Sequence, residues 1–217
     1  MLRPFDRYIL VPNGEVMAFF DEQVDHSNFS VAFSRNPRAQ FSMYARGYVH
    51  SAQVIAGTLI ARRSFPDYDA YPVMFLYRQA LELYLKGIIY DAALLAAFER
   101  MSDGDSKLHN CHNLQFLFDK AARLLERLFP NDPSLHEAMS RLSVVINEFA
   151  YIDPVSIAFR YPISRDGDYS APKGLNCNVA SIRDHLGPHL ETLDTIEFGL
   201  DMETSIAQEL YEEFENL

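Results

Sequence analysis

The chain has 217 residues, 48% of them hydrophobic and 23% charged, with a formal charge of −11. This composition excludes collagenous, low-complexity and wholly disordered chains, and the length is enough to bury a core without metals or disulfides. The charge is concentrated: residues 190–217 carry nine Asp and Glu and no Lys or Arg, whereas the other 189 residues carry 21 acidic and 19 basic groups. Phosphates are therefore repelled at the C-terminal end but not by the body of the chain.

No apolar run approaches the roughly 18 residues of a membrane helix, the strongest short one being Val73 to Tyr77. Met1 to Asp6 lacks the apolar centre of a signal peptide, and Glu15 interrupts the next apolar stretch. Cys111 and Cys177 are too few for a disulfide framework. The expectation is a soluble, cytoplasmic protein with no membrane partner.

Residues 1–37 read as an N-terminal arm or a small hairpin, the turn signal being Asn13-Gly14. From residue 38 to 217 the pattern is helical. Phe41, Tyr44, Ala45, Tyr48, Ala52, Ile55, Ala56 and Leu59 share one face of a helix over 38–63, closed by Arg62, Arg63 and Pro66. A second helix starts near Asp69 or Tyr71, with Pro72 in its first turn, and runs to Tyr90 or on towards Arg100. Residues 101–107 form a polar loop. A third helix spans about 113–128. Asn131-Asp132-Pro133 breaks it and opens a fourth, about 133–151.

Residues 153–177 show no sustained period, and a stretch that long without structure inside a domain points to a functional loop. The last helix starts near Asn178, with a kink or break expected at Pro188. Its stripe of Leu193, Ile196, Leu200, Ala207, Leu210, Phe214 and Leu217 either packs on the bundle or pairs with a second copy. The fold class is all-α: an antiparallel, up-and-down helical bundle with a long acidic C-terminal helix.

The second helix is apolar almost all round, as a central buried helix should be. Arg78, Glu82 and Lys86 interrupt it at steps of four and so share one edge. They form either an exposed ladder of ion pairs or a polar edge facing a groove, where a buried Arg needs carboxylate or phosphate partners. His109 and His112 flank Cys111 without a matching second pair, so no metal and no cofactor is assigned; Asn113 or His112 caps the third helix. Asp153 opens the long loop, and Tyr161-Pro162 fixes extended backbone there. Arg160, between an aromatic and apolar neighbours, reads as a side chain whose head a carboxylate holds, tethering the loop.

Tyr77-Arg78-Gln79-Ala80-Leu81-Glu82-Leu83-Tyr84-Leu85-Lys86 resembles the Arg…Glu…Leu-Lys helix of HEPN-domain proteins, a superfamily of nucleotide-binding domains of higher eukaryotes and prokaryotes. His112-Asn113-Leu114 resembles the start of their following helix, and Arg160-Tyr161-Pro162 the Arg-Tyr-Pro after their fourth. The resemblance covers about residues 40–200. It implies a helical bundle, frequently a homodimer, acting around RNA as a ribonuclease toxin, a phage-defence factor or a non-catalytic RNA- or partner-binding module.

Catalytic members carry Arg and His separated by four to six residues; the match here is Arg183 and His189, which would supply a transition-state cation and a base. Gly187-Pro188 between them and the acidic tail behind them work against that chemistry.

The sequence thus leads to RNA or nucleotide binding in a groove lined by Arg78, Lys86, His112, Arg160 and Tyr161, with Glu82 and Asp153 orienting the cations. One alternative is a non-catalytic homodimeric interaction protein in which Arg78, Glu82, Asp153 and Arg160 form a buried network, with a protein as partner. The second is a metal-independent endoribonuclease using Arg183 and His189.

Overall fold

The structure, a computed structural model, describes residues 40–98, 108–164 and 166–215. The expected arm or hairpin over 1–37 and the expected loop over 101–107 lie outside the described residues. What is described is an all-α bundle of five helices: α1 Phe41–Arg62, α2 Tyr71–Phe98, α3 Leu114–Leu128, α4 Pro133–Ile152 and α5 Val179–Glu215. None of them is long and apolar enough to cross a membrane.

The helix starts follow local chemistry. Asn113 accepts the amide of Phe116 at 2.9 Å and caps α3. Asp132 accepts the amide of Leu135 at 3.0 Å and caps α4, with Pro133 in the first turn, where its missing N–H costs nothing. Asn178 does the same for α5 through Ser181 at 2.9 Å. Arg63 ends α1 in the left-handed region at φ 60, returning its N–H to the carbonyl of Ile60.

α2 is the central element, packed against α1, α3 and α5. Its burial follows from its composition, since Val73, Tyr77, Leu81, Leu85, Ile88 and Ile89 point in several directions and are all buried. α1 offers it a row of small side chains, Ala45, Ala52 and Ala56, all fully buried. At Gly87 the approach is closest: a Cβ there would lie 3.3 Å from Cβ of Phe41 and 3.6 Å from Cγ of Glu197.

Contacts set the helix directions. Phe41 at the start of α1 stacks on Tyr90 late in α2, while Arg62 at its end faces Asp69 just before α2, so α1 and α2 run antiparallel. Along α5, Asp194 meets Tyr84 and Glu197 lies against Gly87, so α5 runs alongside α2 in the same direction. The end of α4 and the start of α5 lie at the same level of α2, Asp153 beside Arg78 and Arg183 near Tyr77.

α5 continues through Pro188 without a break, contrary to the expected interruption. The proline removes one backbone hydrogen bond. Leu186, Leu190 and Leu193 on either side of it are buried against the bundle. Leu193 and Leu200 show that the stripe of α5 packs on its own bundle, but only part-way: Leu210 is exposed.

Candidate functional site

Arg78, Glu82 and Lys86 share one edge of α2, as their spacing requires, and that edge faces neither solvent nor an open groove. Arg78 is 0% exposed and Lys86 3%. The physical reason is the chain around them: the 108–113 turn and the end of α4 cover this edge. Nη1 of Arg78 donates to Oε2 of Glu82 at 2.5 Å, and Nη2 donates to the backbone carbonyl of His112. Nε of Arg78 faces Oδ2 of Asp153 at 3.4 Å, an ion pair without the geometry of a hydrogen bond. Nζ of Lys86 donates to Oε1 of Glu82 at 2.8 Å, and Nδ1 of His112 lies 2.9 Å from the same oxygen.

Burial alone would raise the Glu82 carboxyl. The hydrogen bond from Lys86, the charges of Lys86 and Arg78, and the His112 hydrogen bond outweigh it and hold the group below its usual range. Glu82 is therefore a carboxylate, and Nδ1 of His112 is the nitrogen that carries the proton. Arg78 and Lys86 balance Glu82 and Asp153 in charge, so the network has no surplus cation for a phosphate.

Asp153 also ties down the loop that follows it. Its Oδ1 accepts the amides of Ile157 at 2.6 Å and Ala158 at 3.0 Å. Ser156, between Asp153 and Ile157, is buried and sits at φ 61. The network thus joins α2, the start of α3 and the base of the 153–178 connection. His112 contributes both ring and carbonyl, Asn113 caps α3, and Leu114 is fully buried beside them.

Arg160 does not belong to this network, and no carboxylate among the described residues holds its head. Its Nε donates to the carbonyl of Ser156 at 2.5 Å. Its guanidinium lies 5.9 Å from the ring centroid of Phe75 and 5.8 Å from that of Tyr161, within cation–π range of both. The residue is exposed. It lines a cleft of about 690 Å³ between the start of α2 and residues 158–177. Tyr71, Tyr161 and Tyr169 are exposed around the cleft, and Nζ of Lys173 lies 5.1 Å over the Tyr169 ring. The loop is folded rather than structureless: Ile163 and Tyr169 pair in an isolated antiparallel bridge, and Ser170 donates to the carbonyl of Tyr161.

Tyr71, Tyr169 and Lys173 were not singled out by sequence. The available signal was a cation between Pro172 and Gly174 in a long loop already rich in tyrosine.

Arg183 and His189 both lie on α5, but six residues rotate about 600° along a helix, leaving them about 120° apart around it. Nε of Arg183 is 2.8 Å from Oδ1 of Asp184. Burial lowers the pKa of His189, and the charges of Arg141 and His185 add to this. No three His, Cys, Asp or Glu among the described residues are placed to hold a metal ion.

A second polar cluster sits where α1, α2 and α5 meet. Asp194 accepts from Nε of Arg46 at 2.6 Å and from the Tyr84 hydroxyl at 2.9 Å. Asp91 is pushed up to about 7 by burial and by the charges of Glu197 and Asp201. Glu197 is raised by burial as well, against the Ser42 hydrogen bond and the charge of Arg46.

Compared with protein-family models, curated proteins and solved structures, the chain matches none.

Proposed function

We propose that this chain is a HEPN-like bundle that binds a nucleotide or a short single-stranded RNA in the cleft beside Arg160, while the Arg78 network holds that cleft in shape. The observation that carries the reading is Arg160 itself. It is exposed, braced by Phe75, Tyr161 and the Ser156 carbonyl, and it shares its cleft with Lys173. Two braced cations suit phosphate oxygens, and the tyrosine faces suit bases, which every nucleotide offers. The volume falls within the range of small-ligand sites. Arg78, Glu82, Lys86 and Asp153 act as positioning residues, since their charges are satisfied internally. A homodimer and a defence or toxin–antitoxin setting belong to the same proposal; sedimentation equilibrium tests the first.

The test is fluorescence anisotropy with a labelled mononucleotide and a labelled short RNA at 50 and 200 mM salt. Two phosphate contacts on a single strand give a log–log salt slope of about −1.4, so RNA affinity should fall about sevenfold over that range. Arg160→Ala and Lys173→Ala should each lower affinity several-fold with the melting temperature unchanged. Binding that ignores salt, or that survives Arg160→Ala, removes the proposal.

The interaction-protein alternative is favoured by one observation: the buried network consumes its own charge. It predicts no affinity for either probe. Ribonuclease action is tested by incubating the chain with mixed RNA, where cleavage that persists in His189→Ala would exclude that residue as the base.

A further inference from the structure

α5 has two apolar faces, and the bundle uses one. Leu193, Leu200 and Thr204 are buried against it, and the burial ends at Thr204; Tyr211, two turns on along the same side, is already exposed. Phe198, Met202, Ile206 and Leu210 follow one another at steps of four, each step advancing only about 40°. They form one ridge, about 18 Å long, whose centre lies roughly 160° from the buried face. Their exposures are 56, 51, 50 and 51%. Single exposed apolar residues are ordinary on a protein surface; four large ones in a continuous row mark an interaction site. Gly199 lies on the same side, and a Cβ there would meet nothing within 4 Å. A glycine inside an exposed helix weakens that helix, and nothing within the described chain requires this one. It leaves bare backbone that a partner can approach closely.

Charge decides what kind of partner fits. Residues 190–217 carry nine carboxylates and no Lys or Arg. A second copy laid along this helix would set acid against acid, and an anionic lipid surface or a nucleic acid would be repelled in the same way. We propose that this ridge docks an amphipathic helix of a partner protein, with apolar residues at steps of three and four and Lys or Arg on both flanks. The apolar row supplies affinity, and the flanking charges set the partner and its register. This surface is independent of the cleft beside Arg160.

The probe is a synthetic 18-residue helical peptide with a leucine row and lysine flanks, compared with the same peptide carrying glutamate flanks. Binding to the full chain is followed by fluorescence anisotropy at 150 mM salt. The lysine peptide should bind at least tenfold more tightly than the glutamate peptide. Met202→Ser with Ile206→Ser, both exposed and neutral, should weaken it at least tenfold while circular dichroism stays unchanged. The proposal is overturned if the lysine peptide does not bind, if the double substitution leaves its affinity unaltered, or if sedimentation equilibrium shows a dimer that the double substitution dissociates. The second result means charge attraction alone; the third assigns the ridge to a second copy.

Discussion

Replacing Arg78 with Met keeps the unbranched stem of the side chain and removes its charged, hydrogen-bonding head. In the native bundle that guanidinium serves Glu82 at 2.5 Å, the His112 carbonyl, and Asp153 at 3.4 Å; Arg78, Glu82 and Asp153 are buried, and the His112 ring is half exposed at the edge. After the change Glu82 still has Lys86 and His112, and Asp153 still has the amides of Ile157 and Ala158. The interior is nevertheless left with one uncompensated negative charge and one unpaired carbonyl. Stranding a buried charge in this way costs about 3–5 kcal/mol. Domain stability is commonly about 5–15 kcal/mol, so the loss is a large share of it. At about 2–4 °C per kcal/mol for a domain of this size, the melting temperature should fall by roughly 6–20 °C. Urea unfolding followed at 222 nm reads the same loss as a lower midpoint with an unchanged slope.

One further reading sharpens the test. Adding Glu82→Gln and Asp153→Asn should recover part of the lost stability, because no charge is then stranded. A loss below about 1 kcal/mol, the worth of an exposed pair, would refute the reasoning and mean that water reaches the network.

In the native chain the Glu82 carboxyl is held below its ordinary value of 4.5, so its contribution is present above that pH and is lost as pH falls through the folded value; an acid titration of the 222 nm signal should show this, and Glu82→Gln should flatten it. Asp91, pushed up to about 7 from 3.8, has the opposite sign: its contribution is present at low pH and is lost as pH rises through 7, so Asp91→Asn should raise stability by roughly 1–3 kcal/mol at pH 8 and change it little at pH 4, read by denaturant melts at both. Ser156→Gly relieves a positive φ and should leave stability level or higher by up to about 1 kcal/mol, whereas Ser156→Val should lower it by more than that, both measured by thermal melts. Gly199→Ala should stabilise the free chain by about 0.5–1 kcal/mol, since the added methyl meets nothing.

The helix boundaries were readable because their causes are local. Asn113, Asp132 and Asn178 cap within three residues of themselves, and Pro133 acts on its own turn. The central position of α2 was readable too, since a helix apolar on every side has no face to offer water. The candidate site was legible only in fragments. Spacing put Arg78, Glu82 and Lys86 on one edge, but what covers that edge is the 108–113 turn and Asp153, which lie 26 or more positions from Lys86's neighbour Glu82 along the chain. Arg160 reads as a carboxylate-held tether in sequence; in space it lies against Phe75 of α2 and Tyr161 and stays exposed. Pro188 reads as a kink or break, yet α5 is one continuous helix through it, with buried leucines on either side.

The sequence by itself determined where the five helices lie, which one is central, and that phosphates are repelled near the C-terminus, because period, caps and net charge act over a few residues or sum along the chain. Only the tertiary structure decided that the charged edge of α2 is buried, that the accessible cations of the cleft are Arg160 and Lys173, and that α5 keeps a second apolar face outward. Those outcomes depend on which distant segments meet, and burial of a charge or an apolar row is a property of that meeting rather than of the residues alone.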